Sequence, residues 1–180
     1  MKALFRVLIF AVVLTIIAIP TMTWSGSKKP LPPPDGKAVY AYVTETDSYK
    51  GWPLWPDKGE LYEGQHPHGA FLTTYVSKKA VKTIKKKRGT FRNGTIIVKE
   101  NYMPNKKLAA VTVMYRVNGY DPDAGDWFWA KYKADGTVEK EGKVKGCINC
   151  HSAQIMNDWV FTGSIKKEKS DVKGGSGYGY

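Results

Sequence analysis

The residues of this chain best suited to chemistry lie together near its C-terminal end, in Cys147-Ile148-Asn149-Cys150-His151, and they include the only two cysteines among 180 residues. Two thiols separated by two residues, with a histidine directly after the second, is the spacing that attaches c-type haem. Each thiol adds to one vinyl group of the porphyrin, and the imidazole reaches the iron as its proximal ligand. Two other chemistries share part of this pattern. A zinc site needs two further ligands, and His66 and His68, the only other histidines, have one residue between them instead of the usual roughly three to five. A redox dithiol needs a thioredoxin-like βαβ context around the pair. One covalent haem c, held through Cys147 and Cys150 with His151 on the metal, is the expectation that follows.

Attachment of c-type haem normally takes place outside the cytoplasmic membrane, so the N-terminus bears on the same question. Lys2 and Arg6 form a positive start, Val7 to Ile19 is an apolar run of 13 residues, and Pro20 interrupts it before Ser25 and Gly26. That run is shorter than the roughly 20 residues a membrane span requires. Residues 1–25 therefore read as a signal peptide, which predicts a periplasmic protein; an uncleaved anchor is the other reading, because Trp24-Ser25-Gly26 fits a small-x-small cleavage site poorly. The net charge of +12 would fall to about +10 without Lys2 and Arg6. An export signal and the absence of any nucleic-acid motif exclude nucleic acid as the expected partner. The excess positive charge suits haem propionates, an acidic redox partner protein or anionic lipid, and a solvated surface would account for it as well.

The elements that must position the motif can be read in chain order. Residues 26–36 contain four prolines and form a linker or extended lead-in. From Lys37 to Thr46, Ala38, Ala41 and Tyr42 fit a helical face after an Asp35 cap, though the β-branched and aromatic residues leave a strand open. Trp52-Pro53-Leu54-Trp55-Pro56 cannot be regular helix or central strand, and its tryptophans should wall a core or a cofactor. Phe71 to Ser77 reads as a strand, and Ser77 as the cap of an exposed basic helix through Lys87. Asn93-Gly94 turns the chain into two strands, Thr95 to Tyr102 and Leu108 to Asn118. In the second, Val111, Val113, Tyr115 and Val117 share one face and Thr112, Met114 and Arg116 the other. Asp121 to Asp126 is a turn and not a calcium loop, since its glycine is misplaced and no bidentate glutamate follows. Asp126 to Ala134 is a strand with both faces covered, and Asp135-Gly136 leads into a short strand around Val138. Residues 166–180 read as a disordered tail. The fold class is α+β: one β-rich domain of antiparallel strands over residues 37–165, ending in a haem-attachment helix.

This order, strands first and attachment helix last, resembles the cytochrome P-460 and cytochrome c-prime-beta family. The matching stretches are Pro67-His68-Gly69-Ala70, Ile97 to Tyr102, Thr112 to Tyr115, Gly119 to Pro122 with Asp126 to Trp129, and Cys147 to His151, spanning roughly residues 38–162. The resemblance implies His151 as proximal ligand and, on the other haem face, an open distal site for a small ligand. In hydroxylamine-oxidising members a strand lysine is bonded to the porphyrin, which makes Lys99 a cofactor-binding candidate. Glu100, one residue on, should face away from Lys99. The loop around Ala124 is expected to line the distal side, where it offers no carboxylate to take a proton.

Two function classes follow. One is an enzyme that oxidises hydroxylamine or nitric oxide; no residue is assigned a catalytic role. The other is a nitric oxide carrier or a six-coordinate electron-transfer cytochrome; for the electron-transfer form Met103 and Met114 are candidate sixth ligands. The expected partners are a small-molecule ligand and an acidic redox protein, and a homodimer is compatible with either class.

Overall fold

A computed structural model describes residues 29–167. The expected signal peptide and residues 168–180 of the expected tail lie outside them. Six strands form one antiparallel sheet: β1 (Tyr62–Glu63), β2 (Phe71–Val76), β3 (Ile96–Tyr102), β4 (Leu108–Arg116), β5 (Trp127–Lys133) and β6 (Val138–Gly142). Their spatial order equals their sequence order. Every connection therefore joins neighbouring strands; Gly136 turns β5 into β6 and Gly94 leads the chain into β3, and both adopt positive φ, which glycine tolerates without steric cost. Among the described residues three short α-helices accompany the sheet, α1 (Gly36–Ala41), α2 (Lys78–Lys85) and α3 (Lys145–His151). The fold is α+β and mostly β.

Period-two alternation gives each central strand two faces, and both are covered. On the first face Val98, Val111, Val113, Tyr115, Phe128, Ala130 and Tyr132 pack against Val39, Tyr42 and Val43, and against Tyr49 and Trp52. Asp35 caps α1 as expected, its carboxylate accepting the Ala38 N–H at 2.9 Å, and the helix continues as a wider π turn over Tyr42–Thr46. The proline-rich lead-in is tied to this face, because Tyr115 donates its hydroxyl to the Pro32 carbonyl at 2.9 Å. Each fully buried apolar side chain contributes roughly 1.5–3 kcal/mol.

The second face carries Ile97, Met114, Trp127 and Trp129. Helix α2 lays Ala80 and Ile84 over one end of it, beside Phe91, Trp159, Val160 and Ile165. Its basic residues stay exposed, as expected. Ser77 does not cap this helix: its hydroxyl accepts the Ile96 N–H of β3 at 3.1 Å, a donor brought in by strand pairing. The start of the expected tail is also held, with Lys166 bridged to Arg88 and Ile165 fully buried. Trp52 and Trp55 each join a core, Trp52 on the first face and Trp55 on the second, so the proline-held tryptophans are structural.

Candidate functional site

Between the second face and α3 lies a cavity of about 500 Å³. Its floor is Ile97, Lys99 and Asn101 of β3, Thr112 and Met114 of β4, and Trp129 and Lys131 of β5; its roof is Val144, Cys147, Cys150 and His151 with Val160 and Phe161. The loop Pro67-His68-Gly69 closes one side, and a smaller cavity continues past it, sharing His68, Lys99, Cys150 and His151.

Helix α3 explains how the motif reaches this space. Cys147 and His151 are four residues apart and Cys150 is three from Cys147, so all three side chains share a helix face. His151 is buried, Cys147 half-buried and Cys150 exposed, both thiols being free. Burial pushes the Cys147 thiol above its ordinary value.

A second device fixes the His151 ring. Its Nδ1 lies 2.6 Å from the Trp159 carbonyl, which leaves Nε2 without a hydrogen bond among the described residues. Trp159 is brought there by two consecutive residues at positive φ, Asp158 and Trp159. The Asp158 carboxylate anchors that reversal, accepting the Phe91 N–H at 2.6 Å and the Arg116 guanidinium at 2.8 Å. Trp159 also packs against Gly125, where a Cβ would stand 2.4 Å from its indole nitrogen. Burial lowers the affinity of His151 for a proton, so the ring is held neutral, the form that binds a metal.

Lys99 projects into the cavity. Its amine forms no ion pair or hydrogen bond among the described residues, and burial pulls it down to about 8. Glu100 projects to the first face, as alternation requires, and is 1 % exposed there. Tyr49 and Tyr102 donate to it at 2.8 and 2.7 Å and Lys50 pairs with it. Burial raises its carboxyl, but the bonds from Lys50, Tyr102 and Tyr49 outweigh that and hold it below the usual carboxylate range. Ala124 does not line the cavity. It is buried behind it, in the core with Trp127 and Trp159, so it has no bearing on distal proton transfer. The larger cavity nevertheless has no aspartate or glutamate in its lining. Met114 lines it, whereas Met103 and Met156 are exposed elsewhere.

His68, which no spacing rule singles out, is brought to His151 with ring centres 6.4 Å apart. Its Nδ1 is 2.8 Å from Asn101 Oδ1. Burial, with Lys99 beside it, lowers its pKa to about 4. No cluster of three His, Cys, Asp or Glu side chains that could hold a metal ion occurs among the described residues.

Residues 46–162, more than half of the chain, match the family model for Cytochrome P460. The chain belongs to that family. No curated protein matches the chain. A Cytochrome P460 member is a haem protein, and the cavity fits the group on independent grounds. Its volume falls within the roughly 300–1,000 Å³ of ligand pockets. Ile97, Met114, Trp129 and Val160 offer apolar contact, Lys131 and Lys140 stand where carboxylates could be met, and the buried Trp129 indole N–H lacks a partner. The free Nε2 of His151 is a ready ligand.

Proposed function

We propose that this Cytochrome P460 member is an exported, periplasmic cytochrome with one haem c bonded to Cys147 and Cys150, His151 as its proximal ligand and Lys99 at the porphyrin edge, and that it handles small nitrogen species such as hydroxylamine or nitric oxide. The observation that carries the reading is the convergence of those four residues on one cavity, from two elements almost 50 residues apart. Haem iron supplies one-electron chemistry and a coordination site for small nitrogen ligands. The chain's part is to hold that site. The Trp159 carbonyl orients the His151 ring and strengthens its donor nitrogen. The sheet face and Phe161 exclude water, and Lys131 and Lys140 offer charge to propionates.

Oxidation of hydroxylamine releases protons; the larger cavity lining holds no carboxylate, and Glu63 of the adjoining smaller cavity, which shares His68, Lys99 and His151, is the carboxylate nearest to hand. The remaining positive surface suits an acidic acceptor protein.

Intact mass of the purified protein provides the test. The expected result is one haem that survives acidified acetone in the wild type and is released from the Cys147→Ala, Cys150→Ala double variant. Nitric oxide titration should then give a spectral change with a one-to-one end point. Haem that acid acetone strips from the wild type would overturn the attachment, and an unchanged spectrum would overturn the nitrogen-ligand reading.

A further inference from the structure

The pairing of His68 with His151 has no role in the reading above. Metal–imidazole bonds are about 2 Å long. Since each ring nitrogen stands roughly 1.1 Å from its ring centre, a metal held between two imidazoles sets the ring centres about 6 Å apart. The ring centres of His68 and His151 are separated by 6.4 Å and their planes are inclined at 85°.

The hydrogen bonds select the nitrogen that each ring would offer. Asn101 is oriented by its own amide, whose Nδ2 donates to the carbonyls of Lys99 at 3.0 Å and Ala110 at 3.2 Å and to the Thr112 hydroxyl at 3.2 Å. Its Oδ1 is therefore an acceptor, and His68 must present Nδ1–H to it. His151 likewise directs Nδ1–H to the Trp159 carbonyl. Both Nε2 atoms are left bare and without a hydrogen bond among the described residues. A ring nitrogen fixed by a hydrogen bond on its partner nitrogen is how proteins prepare a histidine for a metal.

The backbone beside His68 is held as well. A Cβ on Gly69 would lie 2.4 Å from the Tyr102 carbonyl oxygen, so the loop lies directly against the end of β3. His68 also donates its N–H to the Gln65 carbonyl at 3.0 Å. A histidine that only filled space would need neither the oriented amide nor this close approach.

We propose that His68 is the second axial ligand of the haem iron in the resting protein, and that a small nitrogen ligand binds by displacing its Nε2. This rests on the haem reading above and replaces a permanently open distal site with a gated one. In the exchange the iron–Nε2 bond breaks and an iron–ligand bond forms, while His68 keeps its bond to Asn101. No electron or proton needs to move.

Electron paramagnetic resonance and optical spectra of the ferric holoprotein test the ligation directly. The expected wild-type spectrum is low-spin with the strong anisotropy that near-perpendicular imidazole planes produce. His68→Ala should be high-spin, and added imidazole should return it to low-spin. A high-spin wild type overturns the proposal, as does a low-spin signal that persists in His68→Ala. If His68→Ala fails to fold, the wild-type signal decides alone. Removing the occupant frees the whole population for binding, so nitric oxide should bind His68→Ala at least about tenfold faster than wild type; equal rates would overturn displacement. A low-spin wild type and high-spin variant, neither of which takes up nitric oxide, would support the ligation and overturn both the displacement and the nitrogen-ligand function.

Discussion

Strand β3 sends Glu100 to one face of the sheet and Lys99 to the other, and the two ionisable groups meet opposite surroundings. On the first face, Glu100 is enclosed by two phenols and a lysine and stays charged because every oxygen is satisfied. On the second face, Lys99 enters a cavity whose larger part has no carboxylate, and its amine is pulled toward neutrality. One face is finished as a core; the other leaves unspent hydrogen-bonding capacity at Trp129, His68, His151 and Lys99. A face that the chain does not complete for itself is where a cofactor adds the missing contacts. Substitutions on the first face should accordingly change stability alone, and substitutions behind the second should reach the haem.

The largest effect on that contrast is expected at Glu100. Glu100→Ala removes the acceptor of two phenolic hydroxyls, and since half-exposed Lys50 can turn to solvent, the cost should come mainly from the tyrosines, about 2–4 kcal/mol. Urea denaturation of the holoprotein would measure it, with the haem spectrum unchanged. The pH dependence has a definite sign. A carboxyl whose folded pKa is depressed contributes stability that is present above its unfolded pKa and lost as the pH falls through the folded one. Wild type should therefore lose stability in mild acid more steeply than Glu100→Gln. A change of haem spectrum in either variant would break the separation of the faces.

Gly125→Ala should come next, and it should cross the divide in the other direction. Gly125 has φ of +69°, and a Cβ would meet the Trp159 ring. Strain and displacement together should cost about 1–3 kcal/mol. Because the Trp159 carbonyl holds His151, the variant should also alter the haem spectrum, which Glu100→Ala should not. An unaltered spectrum with full loss of stability would show that Trp159 can move without disturbing the His151 ring.

The sheet was legible because its signals are local. Alternation in Val111 to Val117 and in Trp127 to Tyr132, with Asn93-Gly94 leading into β3 and Asp135-Gly136 closing the β5–β6 hairpin, determines strands and faces without reference to anything distant. The opposition of Lys99 and Glu100 follows from the same period. What sequence reading missed depends on partners that arrive from afar. Ser77 has a cap's position, yet Ile96, 19 residues away, takes its hydroxyl. Ala124 was placed at the cavity by resemblance and belongs to the core behind it. His68 lacks the fixed spacing to the motif that makes Cys147, Cys150 and His151 recognisable. One signal was present: Asn101 and Lys99 share a face by alternation, so an amide was due beside the lysine, and His68-Gly69 offered a ring with a glycine that permits close approach.

The last effect, and the most discriminating, is expected at Lys99. Lys99→Met removes an amine held without a partner and keeps most of the apolar stem, so it should stabilise the fold at neutral pH by about 1–3 kcal/mol. The profile in base carries more information. A lysine whose folded pKa is about 8, against an ordinary value of 10.5, binds fewer protons folded than unfolded between those limits. Wild-type stability, measured relative to Lys99→Met, should therefore rise as the pH passes from about 8 toward 10.5. A lysine bonded to the porphyrin no longer titrates in this way, and the relative rise would vanish. Tandem mass spectrometry of the haem peptide separates the cases, since a cross-linked peptide carries Lys99 on the porphyrin and a free one does not. A free Lys99 with no relative rise would mean that the amine reaches water, and the contrast between the two faces would then rest on Glu100 alone.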